Sequence, residues 1–247
     1  MIKFGTGGWR DIIGENFTFD NVRRFSQGVA NQIKGARKEQ QGIMIGFDNR
    51  FMAEEFSKAA AEVFAGNDIP VYLLEPSVPT PLVNYATREE GTAAGLTFTA
   101  SHNPYIYNGI KYVREGGFPA TEDITDTLEK EINLIAIEDV QKMPYREAEE
   151  KGLIKRLHYE NQFIDYVESQ LNMDLLKRKQ IRVLYDPMYG TGVNPLFTLL
   201  VDMRAHVKII HDKIDPLFGG RVPAPTEDTL WRLMAMMKEG EYDVGIA

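Results

Sequence analysis

A chain of 247 residues, 43% apolar and 26% charged, is long enough for one large domain or two of ordinary size and has the makeup of a soluble globular protein. Its formal charge of -8 disfavours nucleic acid and anionic membrane as partners, since both bind through clustered Lys and Arg; the lack of cysteine excludes disulfides and thiolate metal sites. No window is apolar for the length a bilayer demands, and the N-terminus does not read as a signal peptide, so a cytoplasmic location is expected.

In chain order, residues 1–19 are glycine-rich and read as a strand or hairpin running into a loop. Asp20 is placed to cap a helix in which Val22, Phe25, Val29 and Ile33 recur at helical spacing. Residues 42–47 form a compact apolar run, hence a buried strand, and Asp48-Asn49-Arg50 turns into a helix carrying Phe56, Ala59, Ala60, Val63 and Phe64. A strand over 70–74 precedes a proline-rich loop at 75–81, where helix is forbidden and ladder donors are missing. Thr80 or Thr87 flanks a short helix, and a strand over 93–99 follows. This strand and helix rhythm argues for a largely parallel sheet covered on both faces.

Residues 121–137 read as helix, and the charged stretch 142–155, with Gly152, reads as a connection between domains. A second unit follows: a helix over 159–173, a strand over 181–185, a helix to about Met203 and a strand over 206–211. Thr226 is placed to cap a helix through Lys238, and Tyr242 to Ala247 begins a third strand.

The densest chemistry lies where the apolar run ending at Thr99 gives way to Ser101, His102, Asn103-Pro104, Asn108-Gly109 and Lys111, the lysine opening another short strand. A strand that delivers a serine to a sharp turn presents its hydroxyl beyond the sheet edge, where α/β proteins place their chemistry. A solvated loop between two strands is the alternative. Acyl transfer by Ser101 with His102 as base is disfavoured, because neighbours in an extended segment point to opposite sides and no G-x-S-x-G elbow is present.

Thr99-Ala-Ser-His-Asn-Pro104 followed by Asn108-Gly-Ile-Lys111 resembles the phosphoserine loop of the α-D-phosphohexomutases, the phosphoglucomutase and phosphomannomutase family. Phe4-Gly-Thr-Gly-Gly-Trp-Arg10 resembles that family's N-terminal signature, Gly46-Phe-Asp-Asn-Arg50 its second arginine loop, and Pro79-Thr-Pro-Leu82 the segment before its third strand. The resemblance covers essentially the whole chain. It implies two consecutive three-layer α/β/α domains with mainly parallel mixed sheets, expected here over 1–150 and 151–247.

The resemblance further implies a phosphoryl group on Ser101, with Arg10, Arg50, His102 and Lys111 as the matching cationic positions. Phosphoryl transfer is mainly positioning and electrostatics, and a phosphoserine brings nearly two negative charges that need cations nearby. Lys111 suits proton transfer with the sugar hydroxyl, because burial beside other cations lowers a lysine pKa toward working range. The arginines suit fixed charge, as they stay protonated and clamp phosphate with two bonds. Hexose phosphates are then the substrates and hexose 1,6-bisphosphate the activator.

Magnesium is implied through the phosphate of Ser101 and a DxDxD cluster that follows the third strand of the family's second domain. No such cluster occurs in this sequence. The expectation is therefore an N-terminal part of a longer enzyme, ending before the metal loop, inactive or nearly so alone, with its own C-terminal domains as partners. The rival is a non-catalytic sugar-phosphate-binding or interaction module on the same fold.

Other features have two readings. Gly5-Thr6-Gly7-Gly8 is a phosphate cradle or a tight turn, and Arg10 alone reads as a surface ion-pair residue. Arg50 could instead pair with Asp48 or cap the next helix. Asp186 to Gly192 lacks the Lys and Ser/Thr of a P-loop and reads as a strand-to-helix turn. Leu233, Met234, Met236 and Met237 read as core or interface; His158, His206 and His211 have no metal-ligand spacing; Arg221 sits in a proline-rich extended run.

Overall fold

The computed structural model describes residues 1–5 and 7–247. Thr6, in the glycine cluster considered as a phosphate cradle, lies outside the described residues. The chain divides into two compact units, the first comprising residues 1–48, 52–100 and 106–158.

The first unit contains β1 (Phe4–Gly5), β2 (Gly8–Ile12), α1 (Phe19–Gly35), β3 (Ile43–Phe47), α2 (Ala53–Gly66), β4 (Val71–Leu74) and α3 (Thr80–Glu89). It continues with β5 (Ala94–Phe98), β6 (Tyr107–Arg114), β7 (Phe118–Pro119), α4 (Glu122–Leu134), α5 (Tyr145–Glu150) and β8 (Ile154–Leu157). The strands make one sheet in the order β1-β2-β6-β5-β3-β4-β8, with β7 beside β6.

The sheet is mixed, as the resemblance implies. Its parallel part, β5, β3, β4 and β8, is the one that the strand and helix rhythm marks, whereas β6 runs antiparallel to β5, β2 and β7. That reversal follows from chain length, because the segment between β5 and β6 is too short for a crossover.

Alternation along the strands separates the two faces. Ile43, Ile45 and Phe47 of β3 join Leu96 and Phe98 of β5 in one core with Val22, Phe25 and Val29 of α1 and Phe56, Ala60 and Phe64 of α2. Each of the larger of these side chains contributes roughly 1.5–3 kcal/mol through burial. Gly46 of β3 faces the other way, where a Cβ would meet Val83 of α3 at 2.5 Å. Helices therefore cover both faces, and α3 approaches so closely because Gly46 has no side chain.

Two sequence expectations shift here. Thr18, not Asp20, caps α1, its hydroxyl accepting from the Asn21 amide at 3.3 Å; Asp20 lies in the first turn, where a negative charge also suits the helix dipole. The stretch 142–155, expected as a connection, instead folds as α5 and β8. Ile154 is buried while Lys155 and Arg156 are exposed, so the charges read as a linker are those of an edge strand blunted against further pairing. The first unit accordingly runs to His158 rather than to 150.

The second unit comprises residues 49–51, 101–105 and 159–247. It contains α6 (Glu160–Ser169), α7 (Met173–Leu176), β9 (Arg182–Tyr185), α8 (Val193–Asp202), β10 (His206–Ile209), α9 (Trp231–Lys238) and β11 (Val244–Ile246). β9 is the middle strand, paired in parallel with β10 and β11. Val183 and Tyr185 pack with Leu200 of α8 on one face, and Leu184 packs with Leu233 of α9 on the other, so this unit is also α/β/α. Leu233, Met236 and Met237 belong to that core, while Met234 is exposed.

Thr226 does not cap α9, which begins at Trp231. It sits instead in a preceding turn, its amide donating to the Thr229 hydroxyl at 2.9 Å and its carbonyl accepting from the Leu230 amide at 2.9 Å.

Candidate active site

The chain leaves β5 at Phe98, and the Thr99 amide still donates to the Gly109 carbonyl at 2.9 Å. Two residues on, Ser101 takes φ +58°, the left-handed conformation that L-residues other than glycine rarely adopt. Its side chain is exposed, with Oγ 3.4 Å from His102 Nδ1. The extended backbone assumed when His102 was placed on the opposite side from Ser101 is therefore absent. A left-handed turn brings the two side chains to the same side, although at a length where a hydrogen bond is weak.

Arg50 lies in the loop after β3 and is 3% exposed. Its Nη2 donates to the carbonyls of Ser101 and Asn103, both at 2.8 Å, and its Nη1 to the carbonyl of Pro104 at 3.0 Å. The guanidinium carbon stands 5.0 Å from the centre of the Phe218 ring. An arginine expected as a phosphate clamp thus spends three donors on the backbone of the serine loop. Such charge-assisted bonds are worth about 1.5–3 kcal/mol each, enough to hold a residue in the left-handed region. Neighbouring Asn49 donates its side-chain amide to the Tyr189 carbonyl at 3.0 Å.

Arg10 and Lys111 belong to the first unit, on adjacent strands. In β2, Trp9 is fully buried and stacks on Phe17 and Phe25 at 4.6 and 6.2 Å between centroids, which turns Arg10 to the opposite face of the sheet. Register pairs Gly8 with Lys111 and Arg10 with Gly109, so Arg10 and Lys111 share that face as diagonal neighbours. The glycines permit the approach: a Cβ at Gly109 would lie 2.6 Å from the Trp9 carbonyl and 2.7 Å from that of Thr99. Lys111 lies within β6 instead of opening it.

Lys111 has a lowered pKa, chiefly through burial and then through the Arg10 charge, with Asp48 pulling partly the other way. Thr97 is opposite Lys111 on β5, and its buried hydroxyl has no hydrogen-bond partner among the described residues. Asn108 is fully buried, its side-chain oxygen accepting from the Gly109 amide at 2.8 Å, which braces the start of β6.

A further polar cluster in the second unit went unread in the sequence. Asp186, 1% exposed, accepts from the Met188 amide and lies 2.9 Å from His211 Nδ1. Arg221 Nη2 is 3.2 Å from His211 Nε2, and Nη1 donates to the Thr229 carbonyl at 2.8 Å. A tautomer with the proton on Nδ1 satisfies both contacts of His211. The cluster fastens the turn after β9, where Met188 and Tyr189 are both left-handed. Of the other histidines, His158 Nδ1 meets the Glu75 carbonyl at 2.5 Å and His206 is exposed on β10.

Among the described residues no group of three or more His, Cys, Asp or Glu is arranged to hold a metal ion. The described residues therefore do not compose the magnesium site that the resemblance implies. Among the described residues, no helix is long and apolar enough to cross a membrane.

Comparison with known proteins agrees with this architecture. The family description "Phosphoglucomutase/phosphomannomutase, alpha/beta/alpha domain I" matches residues 1–137, and that of domain II matches residues 161–247. A phosphoglucomutase of Komagataeibacter xylinus is 28% identical over 229 residues, covering 88% of this chain and 41% of that protein. A phosphoglucosamine/phosphogalactosamine mutase of Sulfurisphaera tokodaii is 29% identical over 250 residues, covering 99% and 52%. A crystal structure of a Thermus thermophilus protein superposes with a TM-score of 0.86 at 26% identity, covering 99% of this chain and 53% of that one. The chain spans about half the length of the curated relatives it matches. Two consecutive α/β/α domains, each matched in sequence over nearly its whole length, and the serine loop between β5 and β6 place this chain in the phosphoglucomutase/phosphomannomutase family.

Proposed function

We propose that this chain carries the phosphoserine of a hexose-phosphate mutase, interconverting hexose 1-phosphate and hexose 6-phosphate through a hexose 1,6-bisphosphate. The observation that carries the reading is the Ser101 turn: an exposed hydroxyl on a left-handed residue whose carbonyl, with those of Asn103 and Pro104, is bound by the buried Arg50. A solvated loop has no need of a buried cation to fix its backbone.

In the forward step the bond from phosphorus to Ser101 Oγ breaks and one to a sugar hydroxyl oxygen forms; the hydroxyl proton passes to a base, and the departing Ser101 Oγ takes up a proton to become the free hydroxyl. The bisphosphate then reorients and returns its other phosphate to the serine, so it serves as both intermediate and primer. Lys111 is assigned the proton, a role its lowered pKa supports because a general base must be neutral part of the time. Arg10 supplies fixed charge. His102, with Nδ1 3.4 Å from Ser101 Oγ, is suited to donate to a phosphate oxygen. Arg50 acts through the backbone of the serine loop.

The test is mass spectrometry of the full-length gene product after incubation with a hexose 1,6-bisphosphate. One added phosphate on the Ser101 peptide is expected, absent in Ser101→Ala. An unmodified peptide would favour a non-catalytic sugar-phosphate-binding module. Since the chain spans about half of the relatives it matches and its described residues hold no metal-ligating cluster, we propose that these 247 residues do not complete turnover alone. Measured turnover by them would overturn that part.

A further inference from the structure

We infer that Phe218 is a positioning residue for the serine turn: its ring fixes the plane of the Arg50 guanidinium, and the guanidinium in turn fixes the carbonyls of Ser101, Asn103 and Pro104. The three carbonyls lie at 2.8, 2.8 and 3.0 Å from the two terminal nitrogens, a fork that only one orientation of the plane satisfies. The ring centre is 5.0 Å from the guanidinium carbon, within the range of a cation–π contact, and Phe218 is 5% exposed, so water screens that contact little.

Phe218 is itself held under strain. It takes φ +52°, which a bulky residue adopts only when its surroundings impose it. Asp215 imposes it here: its carboxylate accepts from the amides of Leu217 and Gly219, both at 2.9 Å, and its carbonyl accepts from the Phe218 amide at 2.9 Å. The turn is built around a left-handed phenylalanine whose ring is delivered to a buried arginine, apart from the apolar side chains that pack on the two faces of β9 in the described clusters. The significance for phosphoryl transfer rests on the reading of Ser101 as phosphate carrier; the geometry of the relay does not.

The test reads the relay without requiring phosphate on the serine. In the intact protein, nitrogen-resolved NMR of the arginine side chains follows solvent exchange of the Arg50 guanidinium protons, with backbone amides of β9 as the control. Phe218→Leu keeps apolar volume and loses the aromatic face; exchange at Arg50 should rise about tenfold with β9 unchanged. Phe218→Tyr keeps the face and should restore the parent rate. Unchanged exchange in Phe218→Leu, an equal rise across β9, or failure of Phe218→Tyr to restore the rate would each overturn the inference. Phosphate uptake at Ser101, measured separately, decides the functional reading on its own.

Discussion

Arg50 binds the carbonyl of Ser101, a residue in the left-handed region, at 2.8 Å through a guanidinium that is almost wholly out of water. The geometry of the serine turn is thus set by a cation that contacts its backbone. Arg50→Ala removes donors from three carbonyls and should cost about 2–4 kcal/mol in urea unfolding, with phosphate uptake by Ser101 reduced at least in proportion. Arg50→Lys should recover only part, since an ammonium cannot reproduce the fork. A change under about 0.5 kcal/mol, the size of an ordinary surface substitution, would mean the bonds matter little.

Ser101 separates strain from chemistry. Ser101→Gly removes the hydroxyl and also the Cβ that makes φ +58° costly, so stability should match or exceed the parent by up to about 1 kcal/mol. Ser101→Ala loses the hydroxyl and keeps the strain. Neither variant should take up phosphate, and if the alanine variant proved the more stable, the left-handed conformation would not be strained.

Lys111 gives a dependence on pH with a definite sign. Its pKa is lowered mainly by burial, so between the folded value and the ordinary 10.5 the unfolded chain binds more protons than the native one. The charge therefore costs stability in full below the folded pKa, and the cost disappears as pH rises toward 10.5. Lys111→Met should raise the melting temperature near neutrality by roughly a degree or two, with the gain shrinking in alkali, because partial exposure screens much of the effect. In the full-length gene product the same change should lower mutase turnover about 10²–10⁴-fold if the lysine moves the proton. A constant gain in melting temperature at all pH values would show that packing, not charge, is responsible.

Tyr112 and Tyr185 have phenols pushed up to about 12, Tyr112 by burial and Tyr185 by burial and then by the nearby Asp186 charge. In the unfolded chain both ionise near 10, so their contribution is complete below that pH and is lost as pH rises toward 12. Tyrosinate absorbance should lag behind that of exposed tyrosines and then rise together with loss of circular dichroism. Tyr185→Phe should delay alkaline unfolding; no delay would place the sensitive group elsewhere.

Gly109 is fixed by space. A methyl group there would collide with the carbonyls of Trp9 and Thr99 at 2.6 and 2.7 Å, neither of which can swing aside without opening β6. Gly109→Ala should cost about 2–3 kcal/mol and disturb Lys111, two residues along the strand. A neutral result in thermal unfolding would show that the sheet yields at β6, between β2 and β5.

β3 and β5 were legible because each is a largely apolar buried run, whereas charged β8 was not, and α1 was legible because its apolar side chains fall on one stripe. What escaped depends on partners distant in the chain. The donors of Arg50 go to carbonyls 51 to 54 residues away, and backbone carbonyls leave no trace in a sequence. Asp186 and His211 are 25 residues apart and meet only because β9 and β10 are neighbours. The left-handed state of Ser101 was hidden because serine, unlike glycine, does not announce it, and the extended backbone assumed in its place put His102 on the wrong side. The first strand of a pair can be read from composition, but the direction of the next depends on loop length, which is why β6 turned back.

Residues 49–51 and 101–105 are grouped with a segment that is synthesised only later. Phe218 leaves the ribosome more than a hundred residues after Ser101, so a nascent chain that has already folded its first sheet still carries the serine on an unfinished turn. The turn at Ser101 can close only when the later part of the second unit has emerged to meet it.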